Sequence, residues 1–413
     1  MLGKIDESEL VCKKNEYKEK GITLHVQRRV KKEIVTLHGK LSFSRVILRP
    51  FGSESKKLLL DTEGIKSVAP LDCYLGIDRI PFKMSVDMIL ECAYWAQNQC
   101  SFEAAQTAVK KIHGIDINDD TIRLATDYIG RMIFENDCRK ASTAWEKFNT
   151  AQLRFPYDRK GILYIEMDGA ALNTRHKNGD GSTWRENKLG IVFSSDNIYH
   201  WTGKDGKPCR MLQKREYISY IGESCEFKKH LLACALRNGY GRYRDTVILS
   251  DGASWIAHIA EEMYPDAQHI LDFFHLAENV HDFARAKYGT DESEYKSWAK
   301  EICDKLENGR WEEVLAALNP DETYPNTVNL YHYIESNREH INYPEYKTKG
   351  YFIGSGAIES GNKVVLQKRL KLAGMRWNPK TAQYIITLVS KEASKKWNED
   401  VVDFVLSSYN QLF

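Results

Sequence analysis

The sequence predicts an α/β protein whose core is interrupted by an all-α segment and preceded by a small β segment and a helical domain. Three observations lead to this fold class. Residues 161–271 alternate short apolar strands with helical periods, and residues 84–136 repeat apolar side chains at helical spacing. The interval 277–350 is too long for a loop in a compact domain and contains further helical stretches. A chain of 413 residues accommodates two or three such domains.

The amino-acid composition excludes several classes of protein. The chain has 59 basic and 57 acidic residues and is 42% hydrophobic, which is typical of a globular protein and not of a disordered or membrane protein. Its nine cysteines include no C-x-x-C pair, which disfavours a zinc finger or a disulfide scaffold and suits a reducing compartment. The N-terminus is charged where a signal peptide needs an apolar stretch, and no apolar run approaches the roughly 18 residues of a membrane span. We therefore expect a cytoplasmic protein.

Charge is distributed unevenly along the chain. Residues 28–49 hold seven basic residues and one acidic residue, and residues 360–391 hold seven basic residues and no acidic one. Residues 291–322 hold ten acidic and four basic residues, so the balanced total conceals a polarised molecule. Concentrated Lys and Arg are typical of proteins that bind a polyanion, because each cation near a phosphate releases a condensed counterion. For the first basic segment, a solvated surface is the alternative interpretation.

The N-terminal part of the chain is predicted to be a basic β segment over residues 1–60. Within it, residues 21–50 alternate apolar and polar side chains around a Gly-Lys break, which predicts a hairpin or a small sheet. Residues 51–83 have the composition of a loop. The role of this region in binding rests on its charge alone.

A helical domain is predicted over residues 84–136. Ser101 and Asn118 are suited to cap its second and third helices, and two short helices joined through Gly114 resemble a helix-turn-helix. Residues 101–131 hold four basic and five acidic residues, however. Plain helical packing or dimerisation is therefore as consistent with this segment as the reading of bases.

Two apolar strands of the core each end in an aspartate followed by glycine. The strand GILYIEMDG ends at Asp168, and the strand in DTVILSDGA ends at Asp251, so both carboxylates are expected at the carboxyl edge of a sheet. An isolated Asp-Gly is commonly just a turn. Residues 188–195 and 197–203 are predicted to be the next two strands of this core, whose first part covers residues 160–276.

A third carboxylate, Glu359, follows a Gly-rich turn at the start of the acid-free basic segment. Three carboxylates at one sheet edge are able to hold two Mg²⁺ ions about 3.5–4 Å apart, which activates an attacking oxygen and stabilises the leaving oxygen of a phosphodiester. Taken alone, Glu359 is by default explained as an acidic residue that the helix dipole favours at a helix start. Its position beside the basic helix favours the metal interpretation.

With these residues, the chain resembles the DDE transposases of insertion sequences, whose core is RNase H-like, and in particular the bacterial Lre-type and Kra-type groups. The resemblance covers residues 84–397 and is most specific at SDGASWI (250–256), at LDFFHL (271–276) and between Gly354 and Trp377. It implies that Asp168, Asp251 and Glu359 form the DDE triad. It also implies that the helical insertion covers residues 277–350 and that the last part of the core covers residues 351–413.

The resemblance implies an enzyme that cleaves DNA at transposon ends and transfers the resulting 3′-hydroxyl ends into target DNA. Its cofactor would be Mg²⁺ or Mn²⁺ in a two-metal site bound by the triad, and it would act in a bacterial cytoplasm, on the nucleoid, as a homodimer or larger assembly on DNA. Asp272 and His275 match a D-x-x-H motif that would support the core or the scissile phosphate; a core histidine is the alternative for His275.

Two groups of residues are predicted to contact DNA. In the C-terminal group, Trp377 would stack on a flipped or frayed base, with burial in the core as the alternative. The predicted DNA-binding residues are Lys363, Lys368, Arg369, Lys371, Arg376, Trp377, Arg28, Arg29, Lys31 and Lys32. Two other functions remain open from sequence: a catalytically silent, domesticated DNA-binding relative, and a structure-selective RNase H-like nuclease that hydrolyses without joining.

Overall fold

The computed structural model of the chain describes residues 2–78, 80–179, 181–289 and 292–410. Two units are present, the first formed by residues 1–133 with 396–413 and the second by residues 134–395. Within the described residues, no helix combines the length and the apolar character that crossing a membrane requires.

A β-hairpin lies in the first unit where residues 21–50 predict one. Strands β1 (Leu24–Thr36) and β2 (Gly39–Pro50) pair antiparallel over their whole length. The turn depends on Gly39, because its φ of 113° lies in a region that residues with a side chain avoid. The core beside the hairpin consists of buried apolar residues from the hairpin and from the segments around it, which are Tyr17, Ile22, Leu24, Val46, Leu48, Leu59 and Val68.

The prediction of a loop over residues 51–83 is wrong. Helix α1 (Leu2–Glu19) precedes the hairpin, and α2 (Gly52–Glu63) and α3 (Pro70–Tyr74) follow it. The β segment predicted over residues 1–60 is therefore limited to the hairpin, with helices on both sides of it in sequence. Neither α2 nor α3 begins with a side-chain cap, so the sequence lacks the usual signal for a helix start.

Three helices lie where residues 84–136 predict them, namely α4 (Val86–Asn98), α5 (Phe102–His113) and α6 (Asp119–Asn149). Ser101 caps α5 by accepting a hydrogen bond from the amide of Ala104 at 3.0 Å, as predicted. Helix α6 continues beyond the predicted end at residue 136. The last helix, α17 (Asp403–Asn410), follows a π-helical turn over Trp397–Val402.

A five-stranded mixed sheet forms the centre of the second unit. Its strands are β3 (Arg159–Asn173), β4 (Trp184–Ser194), β7 (Glu216–Ile221), β8 (Tyr243–Ser250) and β9 (Gln268–Leu271). The spatial order is β7-β4-β3-β8-β9. The first three strands in sequence pair antiparallel, whereas β3, β8 and β9 run parallel. This mixed sheet with flanking helices is consistent with an RNase H-like fold.

Residues 197–203 contain a strand, as predicted, but its assignment to the core sheet is wrong. That segment forms β5 (Ile198–Thr202), which pairs with β6 (Pro208–Leu212) in a separate two-stranded sheet that we call the ribbon. The third core strand is β7, which the sequence analysis missed. β5 has the apolar character of a strand, but it is exposed over most of its length.

Helices cover both faces of the sheet. Alternate side chains of β3 point to opposite faces. Leu163, Ile165 and Met167 pack in one core with residues of α7 (Ser224–Arg237) and α8 (Ser254–Met263). Glu166 and Asp168 point to the other face, where they accept hydrogen bonds from α14 (Gly356–Asn362). We call this second face the α14 face.

The rest of the second unit is helical. Five helices follow β9, and they are α9 (Phe273–Tyr288), α10 (Glu292–Glu307), α11 (Trp311–Ala317), α12 (Leu330–Ser336) and α13 (Tyr343–Thr348). Helix α14 then continues through a π-helical turn over Lys363–Gln367 into the short helix α15 (Lys368–Leu370). Helix α16 (Pro379–Ala393) packs against β7, because Gln383 Oε1 accepts a hydrogen bond from the amide of Ile221 at 2.7 Å.

Candidate metal centre

Two aspartates lie together at the carboxyl edge of the sheet. Asp168 lies two residues beyond Glu166, the last residue of β3 that pairs with β8, and Asp251 follows the last residue of β8. The predicted end of the strand at Asp168 is wrong, because β3 continues to Asn173 through its pairing with β4. Burial raises the pKa of Asp168, and the negative charge of Asp251 raises it further. The side chain of Asp251 accepts a hydrogen bond from the amide of Ala253 at 2.9 Å, which fixes the carboxylate just beyond the strand.

A second group of ligand atoms is formed by Asp272, His275 and Glu359. One potential ligand atom from each of these side chains lies within 4.8 Å of the others. Asp272 is fully buried, His275 is half-buried and Glu359 is exposed. The charge of His275 also lowers the pKa of Asp168, which shows that the imidazole lies within electrostatic reach of that aspartate.

Asp272 is held by hydrogen bonds on both of its carboxylate oxygens. Its Oδ1 accepts from the amides of Phe274 at 2.6 Å and His275 at 3.3 Å, so it caps α9. Its Oδ2 accepts from the amide of Ser355 at 2.8 Å and from the Ser355 hydroxyl. Asp272 therefore links two segments. It fixes the start of α9, which carries His275, next to the turn at Ser355, which leads to Glu359.

Helix α14 connects the two groups. Glu359 belongs to the second group, and one turn later the Asn362 amide donates a hydrogen bond to Asp168 Oδ2. Among the side chains that the structure describes, no group of three ligands within 4.8 Å includes Asp168 or Asp251. The three predicted metal ligands therefore lie at one sheet edge in two neighbouring groups instead of one compact triad.

Glu166 is an acidic residue of this region that the sequence analysis missed. It is fully buried on the α14 face and accepts a hydrogen bond from the amide of Ile358 at 2.8 Å. Burial raises the pKa of Glu166 to about 8, and the charges of Asp272 and Glu359 also raise it. The available signal was the position two residues before Asp168, because strand residues at that spacing share a face.

The donor set fits a divalent cation. Carboxylates are ligands that Mg²⁺ and Mn²⁺ prefer, and an imidazole is a ligand that suits transition-metal ions. Burial and, second, the negative charge of Asp251 raise the pKa of Asp168, and a bound cation would stabilise the ionised carboxylate against both effects. In addition, the Oδ1 atom of Asn362 is buried beside Asp168 without a hydrogen-bond donor. A bound cation or its water would satisfy that oxygen.

The predicted DNA contacts of the C-terminal segment divide into exposed and buried residues. Lys363, Lys368, Lys371 and Arg376 are exposed. Arg369 and Trp377 are buried, with 2% and 8% of their surface exposed. The guanidinium of Arg369 lies 4.9 Å from the Trp377 ring centre, and Trp377 Nε1 donates to the carbonyl of Leu370 at 3.0 Å. Trp377 thus occupies the core, as the alternative interpretation expects.

The basic residues of β1 have two kinds of surroundings. Arg28 and Lys31 are exposed. Arg29 lies 3.1 Å from the buried carboxylate of Asp6, and Lys32 lies 2.8 Å from the buried carboxylate of Asp72. Arg29 and Lys32 therefore neutralise buried acids within the first unit, which gives them a structural role.

Comparisons with known proteins leave the family open. No protein-family model matches this chain, and no curated protein matches it. Among solved structures it is similar to a Drosophila P element transposase strand transfer complex, with 8% sequence identity, 84% of each chain covered and a TM-score of 0.25. A TM-score of 0.25 does not establish a common fold, so the description of the sheet rests on its own strand order. The likeness to Lre-type and Kra-type transposases stays a prediction.

Proposed function

We propose that the chain is a metal-dependent transposase that cleaves DNA strands at transposon ends and joins them to target DNA. The observation that carries the proposal is the collection of acidic side chains at the carboxyl edge of the mixed sheet. Asp168 and Asp251 interact there, and Glu359 lies within 4.8 Å of His275 and Asp272. Sites of this kind perform phosphodiester chemistry with divalent cations.

Asp168, Asp251 and Glu359 are the proposed ligands of Mg²⁺ or Mn²⁺, with His275 beside them. Divalent cations bound there would supply an activated water or hydroxyl and would neutralise the charge that develops on the phosphate. Asp272 has a positioning role, because its four hydrogen bonds fix the start of α9 and the turn before Glu359. Asn362 orients the Asp168 carboxylate through its amide hydrogen bond.

The reaction has two steps with the same bond changes. In the first step, a water oxygen attacks the phosphorus at the transposon end, and the bond to the 3′ oxygen breaks, so a 3′-hydroxyl is released. In the second step, that 3′-hydroxyl attacks a phosphodiester of target DNA. A new phosphorus–oxygen bond forms, and the displaced target oxygen leaves with a proton. No oxidant, reductant or nucleotide cofactor is required.

Exposed cations beside Glu359 would hold the DNA backbone over the acidic site. Lys363, Lys368, Lys371 and Arg376 lie in the acid-free segment that begins one residue after Glu359. Each contact to a phosphate would contribute through release of a counterion. Because two transposon ends must be joined in one reaction, the active form would be a dimer or a larger assembly on DNA.

A strand-transfer assay tests the proposed function. The substrate is labelled DNA from the inverted repeats expected to flank the gene, already cut to expose its 3′-hydroxyl, and the acceptor is supercoiled plasmid with Mg²⁺. We expect the label to become joined to the plasmid. Release of nicked plasmid without joined label would identify a hydrolytic nuclease, and no cutting of either DNA would indicate a binding protein.

A further inference from the structure

The ribbon presents an unusual exposed surface. Tyr199, Trp201 and Met211 have 52%, 40% and 53% of their surface exposed. Tyr199 is paired with Met211 across the two strands, and Trp201 follows Tyr199 on the same face. The rings of Tyr199 and Trp201 stack with their centres 5.8 Å apart. Three large apolar side chains therefore share one solvent-facing surface.

The ribbon and its flanks are strongly basic. Residues 198–215 hold five basic residues and one acidic residue, Asp205. The basic residues are Lys204, Lys207, Arg210, Lys214 and Arg215, and all of them except Arg215 are exposed. An exposed apolar patch alone would fit a protein partner. Lysine is depleted from protein interfaces, however, so this charge favours a polyanion.

The ribbon is anchored on the face of the sheet that carries the acidic site. The Arg210 guanidinium lies 4.2 Å from the ring centre of Phe352, and Phe352 stacks on Tyr164 at 4.7 Å. Tyr164 and Asp168 share the α14 face, because they are four residues apart on β3. At about 3.3 Å per residue, this separation is roughly 13 Å, or about four base-pair steps of DNA.

We propose that the ribbon binds duplex DNA beside the acidic site, with Lys204, Lys207 and Lys214 on phosphates and with Tyr199 and Trp201 against bases or sugars in a groove. A two-stranded ribbon fits the major groove, and apolar side chains are able to wedge between base steps. The proposal rests on the proposed function for its choice of DNA as substrate. It adds an interaction surface that lies outside the predicted basic segments.

The test measures equilibrium binding to a fluorescent duplex of unrelated sequence in EDTA, over a range of KCl concentrations, so that no cleavage contributes. Changing Lys204, Lys207 and Lys214 to Gln should lower the slope of log affinity against log salt by roughly 2.7, or about 0.9 for each phosphate contact. Changing Tyr199 and Trp201 to Ala should weaken binding by about 5-fold to 100-fold with the salt slope unchanged.

Two controls accompany these variants. Trp184→Ala removes a tryptophan that is 53% exposed but belongs by its register to the opposite face of the sheet, and it should bind like the wild type. The double substitution Tyr199→Phe and Trp201→Phe keeps the aromatic rings and should retain most of the affinity. If the alanine variant fails to fold, the phenylalanine and lysine variants still test the surface.

The proposal is overturned if neither the lysine nor the alanine variant changes binding, or if the wild type does not bind duplex DNA. It is also overturned if the alanine variant binds DNA normally and instead changes the sedimentation of the free protein, because the ribbon would then be a protein interface. If the ribbon variants bind DNA and transfer strands as the wild type does, the proposed role of the ribbon in DNA binding is contradicted and the proposed function is not. If the ribbon variants bind DNA more weakly but the wild type performs no strand transfer, the proposed function is contradicted and the role of the ribbon in DNA binding is not.

Discussion

His269 is a buried histidine of β9 that the fold keeps neutral. Its Nε2 lies 2.7 Å from the Ser250 hydroxyl, and its ring centre lies 4.2 Å from that of His340. Burial lowers the pKa of His269 to about 3, with a further contribution from His340. The unfolded chain takes up a proton near pH 6.5, whereas the folded chain does not. The neutral His269 therefore makes its full contribution to the free energy of unfolding above pH 6.5, and this contribution is lost as the pH falls from 6.5 toward 3.

Replacing His269 with Gln should remove this pH dependence while keeping a polar partner for Ser250. Between about pH 7 and about pH 5, the wild type should lose about 2 kcal/mol more stability than the variant, because each pH unit below the unfolded pKa costs up to about 1.4 kcal/mol. Urea unfolding of both proteins at the two pH values provides the measurement. Equal losses in the two proteins would show that His269 accepts a proton in the folded state.

Most single residues of the acidic site were predictable from local sequence or from the resemblance, and Glu166 was not. Asp168 and Asp251 each stand before glycine after an apolar run, and the structure places them together. Glu166 lies inside the run, and its spacing of two residues from Asp168 predicts a shared face but not what covers that face. Its importance comes from α14, which is contributed by a segment far away in sequence.

At the scale of the element, Asp272 joins two segments that are 83 residues apart, the start of α9 and the turn at Ser355. An asparagine at this position is able to accept hydrogen bonds on one side only, so buried donors on the other side lose their acceptor. Asp272→Asn should therefore destabilise the protein by about 1–3 kcal/mol. The substitution also removes a negative charge near Glu166, but this offsets little of the destabilisation. The pKa of Glu166 is raised to about 8, so that group is mostly protonated at pH 7 and there is little repulsion to relieve.

Thermal unfolding in EDTA measures this effect without a contribution from metal. The matched control is Asp282→Asn on the same helix, since the Asp282 side chain is about half exposed and pairs with Arg285 three residues away at 2.8 Å. The control should change the midpoint little. An unfolding midpoint for Asp272→Asn equal to that of the control would contradict the role assigned to Asp272.

Elements with local signals were predicted well, and elements without them were not. The β1–β2 hairpin and the capped helix α5 follow from alternation, a glycine turn and Ser101. Helix α2 has no cap, and the sequence analysis assigned its residues to a loop. Strand β7 was missed because the exposed strand β5 has the same apolar character, and only pairing with β4 separates a core strand from the ribbon.

At the scale of the whole molecule, the order of elements along the chain predicted an α/β core with a helical segment before its last part. The mixed sheet with its flanking helices agrees with the α/β class, and the helical insertion stays a prediction. The arrangement of the acidic residues was less predictable, because it depends on how α9 and α14 pack at the sheet edge. Glu359 groups with Asp272 and His275, although sequence spacing alone suggests a single triad.

The balance of charge in the whole chain also hides its organisation. Exposed lysines are found in the ribbon and beyond Glu359, and Arg28 and Lys31 of β1 are exposed as well, whereas their neighbours Arg29 and Lys32 pair with buried acids in the first unit. Sequence counts treat these cations alike. Only the structure separates the cations that pair with buried acids from those that do not.

Metal-dependent cleavage of supercoiled DNA tests the central claim most directly. The proteins to compare are the wild type, Asp168→Asn, Asp251→Asn and Glu359→Gln, with Asp282→Asn as a control, in Mg²⁺ or Mn²⁺. Each of the three acidic variants should lose cleavage by about 100-fold or more while binding DNA in EDTA as the wild type does, because each removes a proposed metal ligand. Wild-type cleavage by any one of these three variants would contradict the account.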